Sequence, residues 1–371
     1  MILSKYRFFG CAVAAAMVLC LAASADGILW RNGDNDVKVY RIPAICTAPD
    51  GKTIVAVCDA RKWNMGDLNA AQPIQISCRL STDNGETWTN PQSTYDWPWN
   101  DNEQWAASDP SFIVDNEAKK IFLFYNVWEC KKKSGFYQHW MQESSDNGRT
   151  WSKPRDITKD IRRSEWNEKS FVFISSGSGI QTKDGTLLHT VVWVRNHIAL
   201  FGSTDHGKTW KAIGTPVKPG DECKVVELSD GKWMINSRFA GGAREIFVSA
   251  NRGDTWAHRR DTALVDPACN AQIMRYPVAA ARPGKPLKDG VPDSVLLFSN
   301  CKSPNRRINL TLRTSWDDGE TWTDGTTIEP AGSAYSDMTI LPDGSVGILW
   351  EGAGYGTIRF TRVTPDAFLK R

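Results

Sequence analysis

Several charged and phenolic residues of this 371-residue chain stand beside short apolar runs, where a binding or catalytic site could form. Arginine can bind anions, carboxylic acids can transfer protons, and tyrosine can act as a nucleophile when a base activates it. The candidates are Arg41, Asp67, Asp109, Glu222, Arg238, Arg307, Tyr335 and Glu351. Each also has an ordinary structural explanation, as a turn residue, a solvated or paired arginine, or a core tyrosine. Taken singly, none of them identifies a function.

Other familiar site patterns are missing from the sequence. The five His residues form no H-E-x-x-H or H-x-H pair, so a zinc site is not expected. There is also no G-x-S-x-G and no C-x-x-C. Residues 202–209 match the phosphate-loop pattern G-x-x-x-x-G-K-[ST], which requires a helix directly afterwards. Pro216 follows too soon for a long helix, so we reject this match.

An eight-residue repeat, Ser-x-Asp-x-Gly-x-Thr-Trp, indicates the elements that must position the candidates. Intact copies begin at Ser81, Ser144, Ser203 and Ser315, and a fifth copy has Asn251 in place of the Asp. Asp and Gly favour a chain reversal in which the Asp side chain binds backbone amides. The Thr then continues the outgoing strand and the Trp packs back against the sheet. We therefore interpret the repeat as scaffold and not as a metal or carbohydrate site.

The spacing of the repeat predicts the architecture. Successive copies are 46 to 66 residues apart, so about six units fit the 346 residues that follow residue 25. Between them lie short β-type runs, many of which are preceded or followed by Asp-Gly turns. These runs are Thr53–Cys58, Ile121–Val127, Leu187–Val194, Lys232–Ser237, Ser294–Ser299 and Val346–Trp350. No long segment has a helical period, so we predict an all-β fold, a six-bladed β-propeller formed by residues 26–371 as one domain.

The first 25 residues have the features of a cleaved signal peptide. Lys5 and Arg7 are followed by an apolar run, 8–23, and Ala23-Ser24-Ala25 fits a cleavage site. A membrane anchor is the alternative, but the run is short for a span and ends in small residues. No later segment is apolar enough to cross a bilayer. We therefore expect a secreted or periplasmic protein, cleaved after Ala25.

Charge and cysteine content exclude some classes of partner and fold. Without Lys5 and Arg7 the formal net charge falls from +3 to +1, which does not favour binding to nucleic acid or membranes. Seven of the nine Cys residues remain, an odd number without tight spacing. A chain of this size does not need disulfides for its core. We expect mostly buried thiols, and the sequence leaves room for one or two disulfide bridges.

Taken together, the motifs resemble those of the exo-sialidases (neuraminidases) of the bacterial and animal type, over essentially the whole chain after residue 25. The resemblance rests on Tyr40-Arg41-Ile42-Pro43, on the repeats, which are called Asp-boxes in that family, and on several shorter motifs. These are Asp221–Leu228, Asn236-Ser237-Arg238, Leu296–Asn300 and Tyr335-Ser336-Asp337. The resemblance implies a six-bladed propeller with Asp-box hairpins that acts as a glycoside hydrolase on sialylated glycans, without metal or cofactor. No separate carbohydrate-binding domain fits into the chain, so substrate capture would depend on the pocket.

The resemblance also implies how the substrate is bound. Arg41, Arg238 and Arg307 would form a three-arginine clamp on the sialic acid carboxylate, since guanidinium groups bind carboxylates bidentately. Glu351 would hold Arg41 in position. Asp109 would bond a ring hydroxyl or the amide of the sugar. For the pocket of the acetyl group the sequence offers Trp63, Trp105 or Trp193 without a choice among them.

Three further residues would carry out the reaction if the resemblance holds. Tyr335 would be the nucleophile, because sialidases are among the glycosidases that use tyrosine in place of a carboxylate. A phenol is a weak nucleophile at neutral pH, so Glu222 would act as its base. Asp67 would protonate the leaving oxygen and later activate water.

Two positions allow a neighbouring residue as the alternative. Arg306 and Arg307 are adjacent, and alternation along a strand would let only one of them face the pocket. The distance to the repeat at Ser315 favours Arg307. Glu222 and Glu227 would face opposite sides of a regular strand, and the family pattern places the base at Glu222.

Other functions stay compatible with the same residues. The chain could be a trans-sialidase, or could hydrolyse a related nonulosonic acid. A propeller that only binds sialylated glycans is less compatible, because it would not need Asp67, Glu222 and Tyr335 together.

Overall fold

Short strands make up nearly all of the described chain. The structure, a computed structural model, describes residues 21–23, 27–131, 137–166, 171–193, 197–282, 284 and 290–370. Most of the predicted signal peptide, residues 1–25, lies outside the described residues, and its cleavage stays a prediction. Within the described ranges the α-helix is α1, Pro365–Phe368, and short 3-10 turns occur at Asp34–Asp36, Leu68–Ala70, Val278–Ala281 and Ala353–Tyr355.

The strands follow the predicted apolar runs, several of which begin just after an Asp-Gly turn. The first half of the chain contains β1 (Leu21–Ala23), β2 (Ile28–Arg31), β3 (Val39–Thr47), β4 (Ile54–Arg61), β5 (Ile74–Ser81), β6 (Thr87–Thr89), β7 (Gln92–Ser93), β8 (Trp105–Asp115), β9 (Lys120–Glu129), β10 (Gln138–Ser144), β11 (Arg155–Asp156), β12 (Val172–Ile174), β13 (Gly177–Ser178) and β14 (Ile180–Gln181). The second half contains β15 (Leu187–Trp193), β16 (His197–Ser203), β17 (Lys211–Val217), β18 (Cys223–Glu227), β19 (Trp233–Ser237), β20 (Ala243–Ser249), β21 (Ala257–Val265), β22 (Gln272–Pro277), β23 (Ser294–Cys301), β24 (Ile308–Ser315), β25 (Thr326–Ile340), β26 (Val346–Gly352) and β27 (Thr357–Val363).

These strands form five sheets and one two-stranded ribbon, β1-β6. The first four sheets have the orders β3-β4-β5-β7, β11-β10-β9-β8-β13, β12-β15-β16-β17 with β14 on β15, and β18-β19-β20-β21. The fifth has seven strands in the order β2-β27-β26-β25-β24-β23-β22. Strand β25 joins its two halves, because its first part pairs with β24 and its last part with β26. Pairing is antiparallel except between β13 and β8.

The sheets contact one another through their inner strands. Strand β3 contacts β8, β8 contacts β15, β15 contacts β18, β18 contacts β22, β22 contacts β25, and β25 contacts β3 again. The N-terminal β2 pairs with the C-terminal β27, so both ends of the described domain share one sheet. This confirms the prediction of an all-β, propeller-like arrangement. Apolar side chains between neighbouring sheets form the core, and some residues of the joining segments, such as Trp97 and Leu228, pack into it.

Each copy of the eight-residue repeat forms the same turn. In the first copy, Ser81 donates to the Asp83 carboxylate at 2.8 Å, and that carboxylate accepts the backbone N–H of Thr87 at 2.9 Å. Asn251, in the fifth copy, accepts the corresponding backbone N–H through its amide oxygen at 2.9 Å. The substitution therefore preserves the turn. The copy at 203–210, which overlaps the rejected phosphate-loop match, is followed by strand β17.

The described cysteines are all buried free thiols, namely Cys46, Cys58, Cys78, Cys130, Cys223, Cys269 and Cys301. The expectation of mostly buried thiols agrees with this, and no disulfide bridge forms among these seven described cysteines. Among the described residues, no helix has the length and apolar character needed to cross a membrane.

Candidate active site

Seven of the eight candidate residues line one cavity of about 470 Å³. They are Arg41, Asp67, Asp109, Glu222, Arg238, Arg307 and Tyr335. The eighth, Glu351, lies behind the cavity wall with no solvent exposure and is bonded to Arg41. Residues that are up to 310 positions apart in the chain are thus brought together by the sheet arrangement.

Irregularities in the pairing of β3, β8 and β25 orient three of these side chains toward the cavity. The pairing register shifts at Arg41 in β3, at Asp109 in β8 and at Tyr335 in β25. A β-bulge redirects a side chain and interrupts pairing, which is why bulges are frequent at functional sites. Ile42 and Asp109 have positive φ angles of 58° and 61° at two of the bulges. Asp109 directly precedes an apolar run in the sequence, but it lies inside a strand, because β8 already begins at Trp105 and continues through the bulge.

The other site residues lie at strand ends. Glu222 directly precedes β18, and Arg238 directly follows its neighbour β19. Arg307 directly precedes β24, and its side chain faces the cavity while Arg306 is exposed. Glu227, at the far end of β18, accepts a backbone N–H from the loop before β15 and does not line this cavity. The geometry thus selects Arg307 and Glu222 from the two alternatives as the residues that face the pocket.

Glu351 is the acceptor that fixes one side of the site. Its carboxylate accepts Arg41 Nε at 2.5 Å and the backbone N–H of Ile42 at 2.9 Å. It also accepts the backbone N–H of Tyr335 at 3.1 Å. One buried carboxylate therefore compensates the Arg41 charge and holds the two bulged strands together, and charge-assisted hydrogen bonds of this kind are the strong ones.

Tyr335, Glu222 and Arg238 form a hydrogen-bonded triad. The Tyr335 hydroxyl donates to Glu222 Oε2 at 2.5 Å, and Arg238 Nη1 donates to Tyr335 Oη at 2.9 Å as well as to Glu222 Oε2. Arg238 also pairs with Asp221 at 3.1 Å. Burial and the Glu222 carboxylate raise the pKa of Tyr335 well above 10, against the opposing effect of Arg238. The phenol is therefore neutral at pH 7 and has a proton acceptor in place.

Asp67 is the most accessible carboxylate of the site. Its side chain is 72% exposed, and Oδ1 accepts Arg61 Nη1 at 2.8 Å. Arg61 is fully buried at the end of β4, where it also pairs with Asp59 at 2.9 Å and donates to the carbonyl of Met65 at 2.7 Å. No sequence pattern pointed to Arg61, although an arginine that extends a buried strand is a usable signal. It holds the loop that presents Asp67 to the cavity.

Asp109 shares the buried charge network of Asp59. Its backbone N–H donates to Asp59 Oδ1 at 3.0 Å, and its own carboxyl accepts Asn126 Nδ2 at 3.1 Å. Burial, together with the nearby Asp59 and Glu222 carboxylates, raises the pKa of Asp109 well above its ordinary value. A protonated Asp109 could both donate and accept a hydrogen bond toward a polar ligand.

A second charged pair lies one step farther along the strands of Glu222 and Tyr335. Alternation places Lys224 and Asp337 two residues beyond them, and both side chains are buried. Lys224 donates to Asn270 at 2.7 Å, and Asp337 accepts the backbone N–H of Ile45 at 2.9 Å. Burial lowers the pKa of Lys224 to about 8 and raises the pKa of Asp337 to about 6.

One wall of the cavity is apolar, formed by Leu68, Tyr137, Phe171, Phe173 and Val192. Trp63, Trp105 and Trp193, which the sequence offered for the pocket of the acetyl group, do not line this cavity. Trp63 is 55% exposed, and Trp105 packs with other tryptophans. Phe171 and Phe173 belong to no repeat, and their sequence gave no signal.

The chemistry available in this cavity follows from its groups. Three guanidinium groups can bind a carboxylate, a neutral phenol touches a proton acceptor, and an exposed carboxyl can exchange a proton with a ligand. Among the described residues, no three His, Cys, Asp or Glu side chains are grouped as metal ligands. The arrangement therefore suits nucleophilic attack on an anionic substrate.

Comparisons with known proteins agree with this geometry. Residues 52–348 match the BNR repeat-like domain family. The chain is 35% identical over 350 residues to a sialidase of Micromonospora viridifaciens, with 86% of this chain and 51% of that protein covered. It is 26% identical over 347 residues to a sialidase of Bacteroides fragilis, covering 86% and 61%. The chain thus spans about half to three fifths of the length of these two relatives.

A solved structure is similar over the whole arrangement. The Hadza microbial sialidase Hz136 superposes with a TM-score of 0.81 at 28% identity, and the match covers 91% of this chain and 68% of that chain. The resemblance seen in the sequence motifs is therefore confirmed at the level of family and fold.

Proposed function

We propose, since the chain belongs to the sialidase family, that it is an exo-α-sialidase, which releases terminal sialic acid from glycans with retention of configuration. The observation that carries the proposal is the 2.5 Å hydrogen bond between Tyr335 and Glu222 in a cavity lined by three arginines. Sialic acid has a carboxylate on its anomeric carbon. A site for it must bind that anion and attack the carbon beside it.

Substrate binding would rest on Arg41, Arg238 and Arg307. All three line the cavity, and the Cζ atoms of Arg41 and Arg307 each lie 5.5 Å from the centre of the Tyr335 ring. A carboxylate held between these guanidinium groups places the anomeric carbon next to the phenol. Asp109 would bond a polar group of the sugar, and the apolar wall at Phe171 would cover a nonpolar one.

The first chemical step would form a bond between Tyr335 Oη and the anomeric carbon. The phenolic proton passes to Glu222, and Asp67 protonates the glycosidic oxygen as the bond to the leaving glycan breaks. A neutral phenol suits this position, because an anionic nucleophile would be repelled by the substrate carboxylate. The raised pKa of Tyr335 makes the contact with Glu222 necessary.

The second step would reverse the roles. Asp67 accepts a proton from a water molecule that attacks the anomeric carbon, and the bond to Tyr335 breaks while Glu222 returns its proton to the phenolic oxygen. Two displacements give net retention. These steps use no cofactor and no metal. Sialylated glycoproteins, glycolipids and oligosaccharides are the expected substrates.

The direct test is proton NMR of the first product formed from a sialyl-lactose. The α-anomer of free sialic acid should appear first and then convert to the β-anomer. A β-anomer as first product would contradict the retaining mechanism, and no release at all would contradict the enzymatic function. Excess acceptor galactoside in a parallel reaction would reveal a trans-sialidase through a new sialoside.

We further propose six blades for the propeller and export of the mature chain from residue 26. Six inner strands contact one another in turn, and β25 would be shared by two blades within the seven-stranded sheet. An experimentally determined structure would test the blade count. N-terminal sequencing of the exported protein should begin at Asp26, and a retained apolar segment would contradict cleavage.

A further inference from the structure

Tyr355 lies behind the arginine clamp and contacts two of its members. The Arg41 Cζ atom is 4.3 Å from the centre of the Tyr355 ring, and Arg307 Nη1 donates to the Tyr355 hydroxyl at 3.1 Å. Tyr355 does not line the cavity. Its contacts with the site therefore run through the two arginines.

The backbone of Tyr355 is fixed by contacts from the opposite end of the chain. It ends the short turn that follows β26, with a positive φ of 58°, a conformation that non-glycine residues adopt rarely. Its carbonyl accepts Asn32 Nδ2 at 2.8 Å, and Asn32 Oδ1 accepts the backbone N–H of Tyr40 at 2.9 Å. Asn32 thus ties Tyr355 to the residue that precedes Arg41. An unusual conformation held by such contacts is expected where geometry is needed for function.

The three arginines differ in how their charge is compensated. Arg41 pairs with Glu351, and Arg238 pairs with Glu222. For Arg307, the hydrogen-bond partners in the described part of the chain are neutral, namely the Tyr355 hydroxyl and the Ala268 carbonyl at 3.3 Å. Its position therefore depends on Tyr355, while its charge stays available to an anion.

We propose that Tyr355 is a positioning residue that sets the spacing of Arg41 and Arg307 for bidentate binding of the substrate carboxylate. The ring supports the Arg41 guanidinium through a cation–π contact, and the hydroxyl anchors Arg307. This inference rests on the proposed function for the identity of the anion, and it assigns to Tyr355 a role in affinity rather than in chemistry.

The test separates ring from hydroxyl. Tyr355→Phe keeps the ring beneath Arg41 and removes the acceptor for Arg307, whereas Tyr355→Leu removes both. We expect Tyr355→Phe to raise KM for a fluorogenic sialoside about 5- to 10-fold with kcat within about twofold, which is within the range for the loss of one typical hydrogen bond. Tyr355→Leu should raise KM further. The Phe variant carries the test even if the Leu variant does not fold.

A carboxylate-specific measurement excludes a general structural effect. Calorimetry with free sialic acid and with its methyl ester gives the preference of each protein for the charged ligand. That preference should fall about 5-fold or more in Tyr355→Phe. Tyr276→Phe is the matched control. It removes a buried hydroxyl that lies outside the site and donates a hydrogen bond of 2.6 Å to the Gly344 carbonyl.

The possible outcomes are distinguishable. If the wild-type protein cleaves sialosides but Tyr355→Phe has the wild-type KM and ligand preference, the positioning role is refuted. It is also refuted if Tyr276→Phe changes KM equally. If the wild-type protein neither cleaves sialosides nor binds sialic acid, the proposed function itself fails.

Discussion

Tyr335 and Glu222, which are 113 residues apart in the chain, share a hydrogen bond of 2.5 Å between the phenolic hydroxyl and a carboxylate oxygen. They come from two different sheets, and the guanidinium of Arg238 contacts both. A buried phenol whose pKa is raised needs such an acceptor to become nucleophilic. The contact is therefore the relationship that the mutational tests must address first.

We expect Tyr335→Phe to lower kcat on a fluorogenic sialoside by about 1000-fold or more, because the attacking oxygen is lost. The ring, and with it its packing, is retained, so the thermal unfolding midpoint should change by only a few degrees. Circular dichroism and the unfolding curve provide the control for folding. Release of sialic acid at the wild-type rate would contradict the assignment of the nucleophile.

For Glu222→Gln we expect kcat to fall by about 100- to 10,000-fold, the usual range for loss of a general base. The amide can still accept the Tyr335 hydroxyl but cannot take its proton. Glu227→Gln is the control, since Glu227 lies at the far end of the same strand and outside the cavity. Equal losses in both variants would mean that the strand and not the base is affected.

The adjacent arginines Arg306 and Arg307 provide a test of the clamp. Arg307→Ala should raise KM about 10- to 100-fold, because it removes a charge-assisted bond to the substrate carboxylate. Arg306 is exposed, so Arg306→Ala should leave KM within about twofold. Steady-state kinetics on one sialoside at constant ionic strength suffices. If Arg306→Ala raised KM more than Arg307→Ala, Arg306 and not Arg307 would be the member of the clamp.

The role of Asp67 is tested by varying the leaving group. Asp67→Asn should lower kcat/KM about 100-fold or more for a sialyl-lactose, whose leaving oxygen needs a proton. The nitrophenolate of a nitrophenyl sialoside leaves without being protonated. With this substrate the rate of the first step should be much less affected by the substitution. Asp101→Asn, at an exposed carboxylate elsewhere, is the control. Equal losses on both substrates would refute a role for Asp67 as the acid.

From the sequence, the type of fold and the residues that face the cavity could be predicted. The local backbone geometry around those residues could not. The repeats mark the turns, and their hydrogen bonds are local, so the all-β arrangement follows from the sequence itself. The bulge at Asp109 depends on its contact with Asp59, 50 residues away. The sequence next to Asp109 therefore does not reveal that this residue lies inside a strand.

Contacts that depend on the whole arrangement were not predicted. Arg61 and Tyr355 act through partners that only the folded chain brings near them. Phe171 and Phe173 line the cavity without any motif, whereas Trp63 is conspicuous in sequence and lies outside it. Residue type identifies candidates for chemistry, but the side chains that hold or surround them are determined by tertiary packing.

Asp337 should make the stability of the domain depend on pH. Burial raises its pKa in the folded protein from 3.8 to about 6. Between these values the folded state binds more protons than the unfolded state, so the free energy of unfolding falls as the pH rises. The contribution of protonated Asp337 to the free energy of unfolding is fully present below the pKa of the unfolded state. About 3 kcal/mol of this free energy is lost once the pH has risen past the pKa of the folded state.

Asp337→Asn removes this titration, because the amide stays neutral and can still accept the backbone N–H of Ile45. Urea unfolding of both proteins from about pH 4 to about pH 7 should show a smaller decline for the variant. Asp254→Asn, at an exposed position, is the control and should follow the wild-type curve. If the free energy of unfolding depended on pH in the same way for the wild-type protein and Asp337→Asn, the prediction would be wrong. The pH dependence would then come from other titratable groups.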